Sequence, residues 1–129
     1  MRLRHSGVRL AALSAMVVVS LAALHALPQE RSLAQRFLDR LPDGVTIYGL
    51  QTMEGRVPTF LLNVDGVAAA DVATTMADRG YGVWAHDSWY SLGLREKLPY
   101  PQDAVRVGFI HYNTADEIDG FVAELSALL

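Results

Sequence analysis

An arginine stands inside a short apolar run near the end of the chain, Ala104-Val105-Arg106-Val107-Gly108-Phe109-Ile110. His111-Tyr112-Asn113-Thr114 follows, and Ala115-Asp116-Glu117-Ile118 then opens a helical pattern. A charge inside a buried strand is costly unless it is paired. The planar guanidinium suits a carboxylate held by two hydrogen bonds. The segment therefore reads as a carboxylate-binding strand at the edge of a cleft, with Arg106 as the binding group. The structural alternative is an ion pair from Arg106 to Asp103, Asp116 or Glu117.

A second set of chemistry-bearing side chains lies in Trp84-Ala85-His86-Asp87-Ser88-Trp89-Tyr90. His86, Trp89 and Tyr90 are candidates for lining a substrate cleft. The alternative is an apolar loop packed on another surface. His86, Asp87 and Ser88 contain the residue types of a hydrolytic triad, but sequence neighbours rarely meet its geometry, and no Gly-x-Ser-x-Gly elbow is present. The four histidines, His5, His25, His86 and His111, show no metal-ligand spacing. The chain has no cysteine, which removes thiolate metal sites, disulfides and thiol nucleophiles together. No phosphate-binding loop or dinucleotide fingerprint occurs. Tyr112, Asn113 and Thr114 read as a turn and a helix cap. His111 is a surface or packing residue in that turn. Arg56, ahead of Val57-Pro58-Thr59, is expected to meet acidic groups or a domain boundary.

These residues need a scaffold, and the chain has 129 residues, enough for one domain. Its net charge is -3 with signs interspersed, so no basic surface argues for nucleic acid. Leu33, Phe37, Leu38 and Leu41 make the stripe of an amphipathic helix over 29–41. Pro42-Asp43-Gly44 is a turn signal. Strands are expected over 45–48, 59–64, 82–85 and 105–110. A helix over 68–79 turns Val72 and Met76 inward and ends at Gly80. Residues 86–98 read as a loop with some helix. Thr114 and Glu117 form a capping box for the last helix, whose Ile118, Phe121, Val122 and Leu125 face the core. The pattern specifies an α+β fold: a small, mostly antiparallel sheet with helices packed on one face, preceded by one or two N-terminal helices.

The first 30 residues stand apart. Arg2, Arg4 and Arg9 precede a stretch from Leu10 to Gln29 without Asp, Glu, Lys or Arg. A basic start, an apolar centre and a small residue at Ala26 fit an export signal. The run is short of the roughly 20 apolar residues that span a bilayer, so a membrane partner is not expected. The alternative is a packed helix, with Leu10, Leu13, Val17, Leu21 and Leu24 on one face and small alanines on another.

The segments Gly44-Val45-Thr46-Ile47-Tyr48-Gly49, Arg56-Val57-Pro58-Thr59 and Gly80-Tyr81-Gly82-Val83-Trp84 come in order before Arg106 and Tyr112-Asn113-Thr114. Together they resemble the C-terminal small domain of class V aminotransferases, fold type I pyridoxal-phosphate enzymes, in the cysteine desulfurase-like branch. The resemblance covers residues 32–129 and implies a division into an apolar segment, 1–30, and the small domain, 31–129. It implies that Arg106 binds the α-carboxylate of an amino-acid-like substrate. It also implies that the loop after Trp84 stands where desulfurases carry a catalytic cysteine, here replaced by Asp87, Ser88, Trp89 and Tyr90. Enzymes of this family hold pyridoxal phosphate on a lysine of a large domain. The one lysine here, Lys97, lies in Leu94-Arg95-Glu96-Lys97-Leu98-Pro99, which is not that context. The resemblance therefore implies a truncated, cytoplasmic chain that binds no cofactor alone and is inactive by itself. Its partner would be a large domain or a homodimer mate. Three readings stand beside it: a stand-alone carboxylate-binding module, an exported interaction domain, and the remnant of a broken gene.

Overall fold

A computed structural model describes residues 28–85, Glu96 and residues 103–129. The first helix, α1 (Pro28–Leu38), leads into β1 (Val45–Tyr48) and β2 (Thr59–Val64). Helix α2 (Ala69–Asp78), strand β3 (Val105–Gly108) and helix α3 (Ala115–Ser126) complete the order. The strands form one antiparallel sheet in the order β1-β2-β3. This is the expected α+β arrangement.

Each element follows from its residues. In β2, Phe60, Leu62 and Val64 are buried, whereas Thr59 is exposed and Leu61 and Asn63 are half-buried. That alternation is the period of two that a one-sided sheet demands. β3 repeats it, with Val105 and Val107 inward and Arg106 and Gly108 outward. Helix α1 starts at Pro28, where a missing N–H is harmless. It buries Leu33, Ala34 and Phe37. Helix α2 buries Ala69, Val72 and Met76, and Gly80 beyond it takes the left-handed conformation with φ of 88°. Helix α3 opens on the capping box: Thr114 Oγ1 accepts from Glu117 N at 3.2 Å, and Thr114 N donates to a Glu117 carboxylate oxygen at 2.7 Å.

The inward residues of the sheet and of all three helices make one apolar cluster. Phe37 sits at its centre, fully buried, with its ring 5.0 Å from Phe60, 5.0 Å from Phe109 and 6.0 Å from Phe121. The tilted and edge-on geometries suit aromatic quadrupoles. Helices α1 and α3 are tied by charge as well. Asp119 accepts from Arg36 Nε at 2.7 Å and Nη2 at 2.6 Å, and Arg40 Nε approaches it at 3.2 Å.

Two expected strands are shorter than their sequence patterns. Residues 82–85 make no strand: Trp84 forms a single antiparallel bridge to Arg106. Two glycines, at 80 and 82, weaken strand character there. β3 ends at Gly108 rather than Ile110 because the chain turns. Phe109 N still donates to Pro58 O at 3.0 Å, but Ile110 N donates to the Asn113 side-chain oxygen at 2.9 Å. No described helix is long and apolar enough to cross a membrane.

Phe37→Ala should destabilise the fold by about 3–5 kcal/mol, measured by denaturant unfolding. The hydrogen bonds from Arg36, together with the positive charges of Arg36 and Arg40, hold the Asp119 carboxyl below its usual range. Its contribution to stability is present above the unfolded value of about 3.9 and is lost as pH falls through the lower folded value. Asp119→Asn should therefore lower the melting temperature at pH 7, by a margin that shrinks as pH falls below the usual carboxylate range.

Candidate functional site

The open face of the sheet carries Thr46 and Tyr48 from β1, Thr59, Leu61 and Asn63 from β2, and Arg106 and Gly108 from β3. One row crosses it in register: Tyr48 opposite Leu61, Leu61 opposite Arg106, and Arg106 opposite Trp84. Arg106 N donates to Trp84 O at 2.7 Å, and Trp84 N donates to Arg106 O at 3.1 Å. The Arg106 main chain is thus pinned on both sides while its side chain is exposed. This differs from a buried-strand arginine. Val105 and Val107 take the core face, so pleating sends Arg106 outward. Trp84 stands beside it, 53% exposed. Burial raises the Tyr48 hydroxyl above its usual pKa, and the negative charge of Asp65 adds to the shift.

The row is held at one end by polar contacts. Asn63 Nδ2 donates to Asp103 O at 3.0 Å, and Ala104 N donates to Asp103 Oδ1 at 2.9 Å. At the other end, the turn from Ile110 to Asn113 is closed by Asn113 N donating to Ile110 O at 3.0 Å. Thr114 is the N-cap of α3, and the Thr114 N–H with the Asn113 side chain holds the Glu117 carboxyl below its usual range. Tyr112 is 70% exposed, with its ring edge-on to His111. His111 Nδ1 lies 3.6 Å from Glu30 Oε1 of α1. His86, Trp89, Tyr90, Asp87, Ser88 and Lys97 lie outside the described residues.

Arg56 departs from expectation. Its guanidinium donates to three backbone carbonyls, those of Leu50, Thr59 at 2.5 Å and Val57 at 3.3 Å, and no acid contacts it among the described residues. It also lies 4.1 Å from the centroid of the Phe60 ring. Burial lowers its pKa. It staples the loop between β1 and β2. Its neighbours Gly55 and Pro58 signal a loop, but nothing in residue type distinguishes carbonyl partners from acidic ones.

One feature was not legible in the sequence. Between residues 80–83 and β3 lies a cleft of about 180 Å³, with Gly82 and Gly108 on facing sides and Val107, Ile118 and Phe121 within. The signal was two glycines at strand positions, and only pairing reveals that they face each other.

The one lysine of the sequence, Lys97, lies outside the described residues. Among the described residues there is no group of histidine and acidic side chains that could hold a metal.

No family model matches the chain. It is 36% identical over 97 residues to a probable cysteine desulfurase of Halobacterium salinarum, covering 73% of this chain and 22% of that protein. It is 37% identical over 81 residues to probable cysteine desulfurase 2 of Mycobacterium leprae, covering 63% of this chain and 19% of that protein. This chain belongs to the cysteine desulfurase-like family. A nonribosomal peptide synthetase-like enzyme, fsqF, of Aspergillus fumigatus is 32% identical over 97 residues, 72% of this chain and 7% of that enzyme. Among solved structures, the apo cysteine desulfurase of Thermococcus onnurineus superposes with a TM-score of 0.70 at 27% identity, covering 78% of this chain and 25% of that one. The cysteine desulfurase CsdA of Escherichia coli shares the fold, with a TM-score of 0.62 at 22% identity, over 77% of this chain and 24% of its own. This cysteine desulfurase-like chain therefore spans a quarter or less of each of these proteins.

Thr114→Ala should cost about 1 kcal/mol of stability by removing the N-cap of α3. Thr114→Ser should restore most of it in the same unfolding measurement.

Proposed function

We propose that this chain is the substrate-carboxylate-binding part of a pyridoxal-phosphate-dependent, class V aminotransferase-like enzyme of the cysteine desulfurase branch. The observation that carries the reading is the outward projection of Arg106 from the open face of the sheet, with its main chain fixed between β2 and Trp84. A guanidinium there can present two parallel N–H groups to the two oxygens of an amino-acid carboxylate. That interaction binds the substrate and fixes the orientation of its α-carbon. Orientation by a bidentate clamp lowers the entropy lost on reaching the reactive geometry. Trp84 flanks the guanidinium, and His86, Trp89 and Tyr90 follow in the chain as the side-chain-selecting loop.

The cofactor's lysine would come from a large domain or a homodimer partner, and this chain takes no covalent step. The absence of cysteine rules out a persulfide on this polypeptide. The isolated chain is inactive in this reading, and the complete assembly works in the cytoplasm on an amino-acid-like carboxylate. The matched region covers about three quarters of the chain, and both solved relatives align over it, which supports the assignment to this family.

The test is a chimera. The region of the Halobacterium salinarum relative that matches this chain is replaced by this chain's residues. Amino-acid binding is then read from the change in cofactor absorbance. Arg106→Met should raise the half-saturating concentration about 10- to 100-fold, the worth of a charged hydrogen-bonded pair, and leave the free cofactor spectrum unchanged. Arg106→Lys should fall between. Half-saturation that is the same with and without Arg106 would remove the carboxylate-binding role.

A further inference from the structure

β1 pairs on one side only, with β2. Asp65 N donates to Gly44 O at 2.8 Å, and Val45 then stands opposite Val64 and Ile47 opposite Leu62. Bonded and non-bonded pairs alternate along an antiparallel ladder. Thr46 and Tyr48 therefore bond to β2, while Val45 and Ile47 turn their peptide groups away from it. The Val45 N–H is used locally, donating to Pro42 O at 3.3 Å. The N–H and C=O of Ile47 and the C=O of Val45 bond to no other described residue. Soluble proteins commonly blunt such an edge with proline, lysine, an inward charge or a bulge. Val45-Thr46-Ile47-Tyr48 has none of these and is β-branched or aromatic throughout.

A groove of about 370 Å³ follows the same edge, and Leu38, Leu41, Val45 and Ile47 supply its apolar wall. Leu38, Leu41 and Val45 are only half-buried, although they pack against the core. Ile47 faces the core, on the helix side. In an added strand, the residue opposite Ile47 exchanges both hydrogen bonds with it and projects to the same side of the sheet. Pleating thus sends that side chain into the groove. The Val45 end of the edge is acidic. Asp43 lines the groove, and Asp65 bonds to Gly44 beside it. Arg40, in the link between α1 and β1, is engaged by Asp119.

We infer that the outer edge of β1 is a docking site for an extended peptide segment of another protein, which adds as an antiparallel strand and places an apolar side chain in the groove. Basic residues on the C-terminal side of that side chain suit Asp43 and Asp65. A peptide main chain supplies a donor and an acceptor to Ile47 together with a side chain on the pleat, and selection rests on the groove and the acids. A second copy pairing through its own Ile47 would leave the groove unfilled, because that side chain is buried in its own core. The site lies across the sheet from Trp84 and does not depend on the carboxylate role of Arg106.

The test uses the full chain and a capped peptide, acetyl-Thr-Val-Leu-Thr-Lys-Thr-Lys-amide, followed by amide shifts and hydrogen exchange. In the free chain the Ile47 amide should exchange at least about tenfold faster than those of Thr46 and Tyr48, and the peptide should slow it by a similar factor. Alanine in place of the peptide leucine should weaken binding about tenfold or more. N-methylation of that leucine, which removes the donor to Ile47 O, should abolish it. Asp43→Lys, an exposed change, should weaken this peptide and favour one with glutamates in place of its lysines. No shift at millimolar peptide would overturn the site, as would binding indifferent to N-methylation. An Ile47 amide protected in the free chain would also overturn it: protection that grows with protein concentration means a second copy holds the edge, and protection independent of concentration means the chain covers it itself.

Discussion

The pairing of β2 with strands on both sides is the constraint on which the molecule depends. Period-two pleating leaves no freedom once Phe60, Leu62 and Val64 face the helices. Val105 and Val107 must then join them, and Arg106 and Gly108 must face away. A slip of one residue would bury the guanidinium and expose two valines. The ring cluster around Phe37 locks the register from the inside, because Phe60 reaches it from β2 and Phe109 from the residue after β3. Core packing and the presentation of the functional side chain are thus one event. The arginine needs no local device to project outward, since its neighbours decide its direction.

The charged groups divide their work along the same boundary. Arg36 and Arg40 converge on Asp119 to join α1 to α3, and Arg79 pairs with Glu124 to tie the end of α2 to α3. These pairs are partly exposed, so each adds modestly and chiefly fixes geometry. Arg56 turns inward to carbonyl oxygens and the face of Phe60. Arg106 stands on the opposite side of the sheet from these helices. Two arginine environments are thus fixed within one small fold, an acid clamp and a carbonyl staple, while Arg106 projects from the exposed face of the sheet.

Most of the scaffold was legible in the sequence. The β1 and β2 limits, the inward faces of α2 and α3, and the capping box of Thr114 and Glu117 follow from alternation, helical spacing and a local four-residue motif. These signals are local, and the structure agrees with them. The failures came where partners are distant. Residues 82–85 have the β-branched and aromatic character of a strand, yet only Trp84 pairs, because the helices hold Tyr81 and the glycines do not resist separation. The surroundings of Arg106 were misjudged for a related reason: apolar neighbours in sequence signal a strand, but they do not say which face the charge takes. Arg56 could not be assigned carbonyl partners, since those belong to residues on both sides of a loop whose path is fixed by folding. The family likeness was legible because it rests on the order of several short motifs, and no single motif carries it.

The staple by Arg56 also gives the molecule an uneven response to its surroundings. Backbone carbonyls do not titrate, so this junction keeps its charge pattern across the range in which Asp119 gains a proton. Protonation of Asp119, once pH falls through its lowered value, therefore weakens the tie of α1 to α3, while the loop joining β1 to β2 keeps its hydrogen bonds. The sheet end serves as the part that persists, and the open face bearing Arg106 is built on it. Only a strongly acid solution, below the usual carboxylate range, would thus weaken the charged tie of the helical layer over a sheet whose outward surface is largely intact.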